Sequence, residues 1–283
     1  MTVGTMIRMP EGDTIFRAAR TLHQLLAGCT VTRFESAFPA LTRVNDDRQI
    51  IGRTIEAIAS RGKHLLMTFS GDLILRTHMR MNGTWHVYPV GARWKKPARD
   101  MRVLVATDEV VAVAFNVPVA EFVSARDLAR RGPVAMLGPD LLDAAFDREE
   151  ALRRLQARPT AQIGDALLDQ RALAGIGNVF KCEALFLAGV HPFTSVSALP
   201  DATLERIVDA AREQLRANVL PRSRTLSVAF GRRTTRSLDP REHLWVYGRG
   251  GRACRRCGAA IESRAAGPDA RLTYWCPVCQ AAT

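Results

Sequence analysis

Residues 167–186 read LLDQRALAGIGNVFKCEALF. Apolar positions recur at helical spacing on both sides of AGIGN (174–178). The stretch therefore predicts a helix over 163–173, a turn carrying two glycines, and a second helix over 178–189 that Asn178 can cap. Two helices joined in this way form a helix-turn-helix-like hairpin whose amides can point at a phosphate. Alone the signal is weak, because any helical hairpin can carry it.

The flanks keep the helical period. DREEALRRLQA (147–157) precedes the hairpin, and DATLERIVDAAREQLRAN (201–218) follows it with Leu204, Ile207, Val208, Ala211 and Leu215 as one apolar stripe. Upstream, RDLARRGPVAMLGPDLL (126–142) contains two Gly-Pro pairs that interrupt any regular period and reads as a linker. Before the linker the pattern shortens to strands, among them HLLMTF (64–69), DLILRTHM (72–79), TWHVYPV (84–90), RVLVATDE (102–109) and VVAVAFNV (110–117), punctuated by turn residues. A helix over 13–27, with Ile15, Ala18, Leu22, Leu25 and Leu26 on one face, precedes this antiparallel β domain.

Six cysteines stand at 29, 182, 254, 257, 276 and 279. Cys254, Cys257, Cys276 and Cys279 form C-x2-C-x18-C-x2-C, the spacing of a tetrahedral zinc site in which each pair supplies two thiolates from one knuckle. Two disulfides are the competing reading, but adjacent CxxC pairs rarely make structural bridges and MTVGTMIRMP has no signal-peptide core. The expectation is one structural Zn2+, a small β-hairpin in which TYWCPVC pairs with ACRRC, and two free buried thiols at Cys29 and Cys182.

The charge narrows the function. Lysine and arginine exceed the acids by 12, and the pI is near 10.3, a strong prior for a nucleic-acid partner. Between Arg212 and Arg256 twelve arginines face only Glu213, Asp239 and Glu242, a net +9 that predicts contact with a polyanion along that stretch. No apolar run approaches the roughly 18 residues of a membrane span, so a soluble cytoplasmic protein is expected. A chain of 283 residues has room for two domains.

MPEGDTI (9–15), GK (62–63), THMRMNG (77–83), LLDQRALAGIGNVFKCEALF and the four-cysteine finger stand in the order found in bacterial DNA glycosylases. From Met9 almost to its end the chain resembles the formamidopyrimidine-DNA glycosylase and endonuclease VIII family. SRGKHLLMTFSGDLILRTH, LDQRALAGIGN and WVYGRGGRACRRCG look closer to endonuclease VIII. The resemblance implies an α+β chain: an N-terminal antiparallel β-sandwich with one helix (10–125), a linker (126–142), a helix-two-turn-helix domain (143–238) and a zinc finger (245–283). DNA would lie in a basic cleft between the domains.

It also assigns roles. Pro10 would be the nucleophile, acting as a free secondary amine once an initiating Met9 is removed, and Glu11 the acid that protonates the deoxyribose ring oxygen. Lys63 would grip a phosphate and assist elimination, while Asn178 and Arg271 would clamp the backbone beside the lesion, with Arg271 counted among the catalytic groups. Met81 would be the wedge that fills the void left by an extruded base, flanked by Arg80 and Asn82 where endonuclease VIII proteins carry Gln-Leu-Tyr.

Taken singly, these residues have plainer readings. Pro10 can start a helix, Glu11 can be a first-turn charge, Lys63 can be solvated, and Met81 can pack under a hairpin. The function expected is a bifunctional DNA glycosylase/AP lyase of base excision repair. It would act as a monomer on damaged DNA, remove oxidised bases, pyrimidines ahead of purines, and cut by β,δ-elimination. Two alternatives stay open: an oxidised-purine glycosylase, and a catalytically silent DNA-binding protein if the nine residues before Pro10 are retained. The lesion-covering loop, near SVAFGRRTTRS (227–237), carries no legible motif.

Overall fold

The computed structural model describes residues 9–219, 232–267 and 269–281. The chain divides into two compact units, Met1–Met136 and Leu137–Thr283.

The first unit is a sandwich of two four-stranded antiparallel sheets. One has the order β1 (Arg33–Ser36), β6 (Met101–Ala106), β7 (Val110–Phe115), β5 (Thr84–Pro89). The other has the order β2 (Ile55–Arg61), β3 (His64–Phe69), β4 (Leu73–His78), β8 (Val119–Val123). Strand alternation decides which residues fill the space between them. Val103 and Val105 of β6 and Ala112 and Ala114 of β7 join Leu65, Met67, Leu73 and Leu75 of the facing sheet in one core. Helix α1 (Gly12–Leu26) adds Ile15, Ala19, Leu22 and Leu26 to it, as its 3.6-residue stripe dictates. The alternate residues Leu104, Ala106, Val113 and Phe115 point outward and join Tyr88 in a second, smaller cluster.

Helix α2 (Pro39–Arg48) lies between β1 and β2 in the chain and buries only Leu41. The stretch read as a bare linker holds two short helices, α3 (Ala125–Arg130) and α4 (Gly132–Ala135). The Ser124 hydroxyl accepts from Asp127 N at 3.0 Å to start the first, and Pro133 sits in the opening turn of the second, where its missing N–H costs nothing.

The second unit packs α5 (Arg148–Gln156), α6 (Ile163–Leu168), α7 (Asn178–Ala188) and α8 (Asp201–Val219) around Leu155, Leu167, Phe180, Leu185, Ile207 and Leu215. Helix α6 ends at Leu168, earlier than its apolar period suggests, so the connection to α7 is longer than AGIGN alone. Strands β9 (Glu262–Ala266) and β10 (Arg271–Trp275) complete the unit as an antiparallel hairpin. The strand paired with TYWC is thus ESRAA and not ACRRC, which forms a knuckle closed by an Ala253–Ala260 bridge. No described helix is long and apolar enough to cross a membrane.

Candidate active site and nucleic-acid interface

Strand register gathers one group of residues at a single end of the sandwich. His64 pairs with His78 and His78 with Val119, while in the other sheet Phe115 pairs with both Thr84 and Met101. The turns at 62–63 and 79–83 close this end. Helix α1 reaches it too. Gly28 N donates to Ile55 O at 2.8 Å and Ile58 N to His23 Nδ1 at 3.1 Å, so the C-terminal part of α1 lies beside the start of β2. Fifteen helical residues and seven strand residues each span about 22 Å, which carries the opposite end of α1 toward the β2–β3 turn. Pro10, Glu11 and Lys63 therefore belong to one end.

Glu11 is 2% exposed and is the N-cap of α1, its carbonyl accepting from Thr14 N at 3.0 Å and Ile15 N at 3.1 Å, with no side-chain capping bond. Pro10 precedes the cap, outside the helix. Lys63 lies in a two-residue hairpin turn, not in the strand; Gly62 takes the positive-φ position (+57°) that lets the turn close. Next to it a polar chain, buried at His64 and Arg76, crosses β3 and β4 to an exposed carboxylate on β8. Arg76 Nε bonds Glu121 at 2.7 Å, Arg76 NH1 bonds His64 Nδ1 at 2.9 Å, and the His64 and His78 rings meet edge to face at 4.8 Å. Burial, then His78, Arg76 and Lys63, pulls the His64 pKa down to about 3; burial, then Lys63, Arg80 and Arg76, pulls that of His78 down to about 4. Both imidazoles are neutral at pH 7.

The turn after His78 separates two methionines. Met79 is 1% exposed and joins the core, whereas Met81 is 49% exposed at the tip beside exposed Arg80 and Asn82. Gly83 is needed because a Cβ there would stand 2.5 Å from Met79 O. The side chain packed under the hairpin is Met79.

In the second unit Asn178 is the first residue of α7 and Gly177 its cap. The Asn178 side chain does not cap its own helix: Nδ2 donates to Leu272 O at 2.8 Å, one residue from Arg271. Arg271, half-exposed, bonds Asp269 at 2.8 Å. Behind them Lys181, 1% exposed, donates to Thr273 Oγ1 at 2.7 Å.

The Sγ atoms of Cys254, Cys257, Cys276 and Cys279 lie within 4.8 Å of one another, close to the roughly 3.8 Å edge of a zinc–thiolate tetrahedron. Arg256 N and Cys279 N each approach a cluster sulfur at 3.4 Å, as knuckle amides do. These four soft donors can hold a metal ion. Cys182 is buried, as expected, but Cys29 is partly exposed.

Glu183 carries a function the sequence does not display. Fully buried on α7, its carboxylate accepts from Trp245 N at 2.8 Å, Val246 N at 2.9 Å, Tyr247 N at 2.8 Å and the Thr234 hydroxyl. One side chain thereby fixes the segment leading into the finger. The basic stretch is also partly internal. Arg249, buried, donates to Ala253 O at 2.7 Å, and half-buried Arg255 donates to the carbonyls of Leu244 and Arg241, whereas Arg241, paired with Asp239 at 2.8 Å, and Arg256, over the Phe186 ring at 4.4 Å, stay exposed. Arg249 is thus turned away from solvent, while Arg241 and Arg256 remain open to it. Arg222, Arg224 and the first part of SVAFGRRTTRS lie outside the described residues.

Residues 9–128 match the Formamidopyrimidine-DNA glycosylase N-terminal domain, and residues 137–229 match the Formamidopyrimidine-DNA glycosylase H2TH domain. The "Probable endonuclease 8 2" of Streptomyces coelicolor is 43% identical over 278 residues, covering 96% of this chain and 94% of that protein. The chain belongs to the formamidopyrimidine-DNA glycosylase and endonuclease VIII family. The "DNA-(apurinic or apyrimidinic site) lyase Nei2" of Mycolicibacterium smegmatis is 36% identical, with 97% of this chain and 100% of that protein covered. The Lactococcus lactis formamidopyrimidine-DNA glycosylase, solved in complex with abasic-site DNA, superposes with a TM-score of 0.80 at 26% identity over 96% of this chain and 100% of that one. Family membership makes the chain a DNA glycosylase/AP lyase of base excision repair, and the sandwich, the helical H2TH unit and the cysteine cluster are the family's architecture.

Proposed function

We propose that this chain removes oxidised bases from DNA, pyrimidines in preference to purines, through an imine formed on Pro10, and then cuts the strand by β,δ-elimination. The observation that carries the reading is the convergence of Pro10, Glu11 and Lys63 on the end of the sandwich from which Met81 projects. The preference for pyrimidines rests on the resemblance of SRGKHLLMTFSGDLILRTH, LDQRALAGIGN and WVYGRGGRACRRCG to endonuclease VIII.

With Met9 removed, Pro10 has a secondary α-amine, and α-amines, with pKa near 7.7–8, keep roughly a tenth of their population unprotonated and nucleophilic at pH 7. The nitrogen attacks C1′ of the damaged nucleotide as the glycosidic bond breaks, and its N–H proton passes through water to the departing base, which leaves neutral. Glu11 donates a proton to the ring oxygen, which opens the sugar and leaves an iminium between Pro10 N and C1′. Removal of a C2′ proton sends an electron pair toward the iminium and expels the 3′ phosphate. A second proton loss expels the 5′ phosphate, and water releases the remaining fragment to restore the amine. Lys63, Asn178 and Arg271 hold the phosphates through which these leaving groups depart. Met81, with Arg80 and Asn82, occupies the gap left by the extruded base. Cys254, Cys257, Cys276 and Cys279 hold one Zn2+, whose contribution is folding energy for the hairpin that bears Arg271.

Borohydride reduction of the protein on abasic-site DNA tests this. A chain beginning at Met9 should be trapped covalently, and Pro10→Gly and Glu11→Gln should each lose base excision. A chain verified by mass to keep residues 1–9 should not be trapped; equal trapping would remove Pro10 from its role.

A further inference from the structure

Strands β5 and β6 both pair antiparallel to β7, so the chain between them must return along the whole sheet. It does so in residues 90–100, which run from Pro89, paired with Val110, back to Met101, paired with Phe115. The crossover is held in one shape. Trp94 stacks on Tyr88 at 6.5 Å and meets the edge of Phe115 at 5.6 Å, and Lys95 N donates to Tyr88 OH at 3.2 Å. A shallow cavity of about 540 Å³ lies along Ala92–Ala98.

With Trp94 turned inward, its neighbours are turned outward: Arg93 and Lys95 are exposed, and so is Arg99. From Val90 to Arg99 there is no carboxylate, and none of these three cations forms an ion pair among the described residues. Lys96 Nζ sits on a hydroxyl, Thr84 Oγ1 at 3.0 Å, not on an acid. Thr84 follows the Met81 turn by three positions and pairs with Phe115, so the cationic crossover ends where Lys63, Arg80 and Met81 stand.

We infer that the 93–99 crossover is a second, sequence-independent docking surface for double-stranded DNA, binding backbone phosphates outside the lesion on the side of the Met81 turn. The inference rests on the proposed action at a lesion held at this end of the sandwich. Continuity with that end and the excess of Arg93, Lys95, Lys96 and Arg99 over Asp100 choose the occupant. Duplex DNA carries one charge per about 1.7 Å of axis, so the base pairs beyond the first half-turn from the lesion, which only the longer of two duplexes supplies, bring several phosphates within reach of three cations. Trp94 and Tyr88 hold the loop, so the surface is formed before DNA arrives.

The test compares two duplexes carrying the same central abasic-site analogue, one of about 12 and one of about 30 base pairs, binding the full chain and its Arg93→Ser/Lys95→Ser/Arg99→Ser variant over a salt series. The inference expects the log–log salt slope on the long duplex to fall by about 2 to 3, from roughly 0.9 per lost contact, with the short duplex and single-turnover excision at saturating protein unchanged. Lys95→Glu alone, at an exposed position, should weaken long-duplex binding with no change in melting temperature. An unchanged slope on the long duplex overturns the surface, as does an equal loss on both lengths, which would put the loop at the lesion. Retained DNA binding with lost capture of an acidic peptide would assign the loop to a protein partner and overturn it too. A wild-type chain that binds neither duplex would instead overturn the proposed function.

Discussion

The side-chain amide of Asn178, at the first position of α7, donates to the carbonyl oxygen of Leu272 in β10 at 2.8 Å. A helix start and a finger strand are thereby locked in register, with Arg271 adjacent. The Arg271–Asp269 pair is exposed and adds little stability, so the guanidinium can exchange Asp269 for a phosphate. Arg271→Ala should weaken binding to all DNA sequences alike and lower the salt slope by about 0.9. Asn178→Ala should cost more than its own contact, because it also frees β10. A double-mutant cycle checks this; strictly additive losses would uncouple the two residues.

The two methionines of the 79–83 turn should separate stability from extrusion. Met79→Ala empties a core position and should destabilise the fold by about 2–5 kcal/mol. Met81→Ala should leave the melting temperature and salt slope unchanged while slowing excision of a paired lesion, with cutting at a preformed abasic site affected less. Equal slowing on both substrates would deny Met81 the wedge role.

Stability should depend on pH through His64 and His78. Their folded pKa values, about 3 and about 4, lie below the unfolded value near 6.5. Between these limits the unfolded chain binds protons the fold refuses, so their contribution is full above about pH 6.5 and is lost as pH falls toward 3. Denaturant melts from pH 7.5 to 4.5 should show this decline, reduced in His64→Gln. Proton uptake by the folded imidazoles near pH 6.5, seen by NMR titration, would contradict it.

Glu183→Ala should be among the most damaging substitutions outside the active site. It leaves three backbone N–H groups without their acceptor, at about 1–3 kcal/mol for each group left buried, while the Thr234 hydroxyl keeps His243 O at 3.2 Å. Metal analysis should give one zinc per wild-type chain. Cys276→Ser should lose it and weaken DNA binding while the sandwich still melts cooperatively. Zinc-free protein with full DNA affinity would argue against the structural metal.

Much of this was legible in the sequence wherever the signal is local. The C-x2-C spacing placed the thiols, strand HLLMTF is found at 64–69 as read, and the stripe of α8 packs as its period requires. What escaped is tertiary. Strand β1 is four residues long and α2 buries one side chain, so neither has enough periodicity to be seen. Asn178 has the chemistry of a cap, but a carbonyl from another strand takes its amide. Glu183 and Arg76 look like ordinary solvated charges. Only the fold supplies the amides of 245–247 and the His64 ring that justify burying them.

Catalysis as proposed turns on one atom, the nitrogen of Pro10, joining the sugar. The most direct measurement is proteolytic digestion and mass spectrometry of the borohydride-reduced complex between a chain expressed from Met9 and abasic-site DNA. The N-terminus should be processed to Pro10, and the reduced sugar fragment should sit on the peptide that begins there. A fragment mapped to Lys63, or an adduct formed equally well by Pro10→Gly, would contradict it.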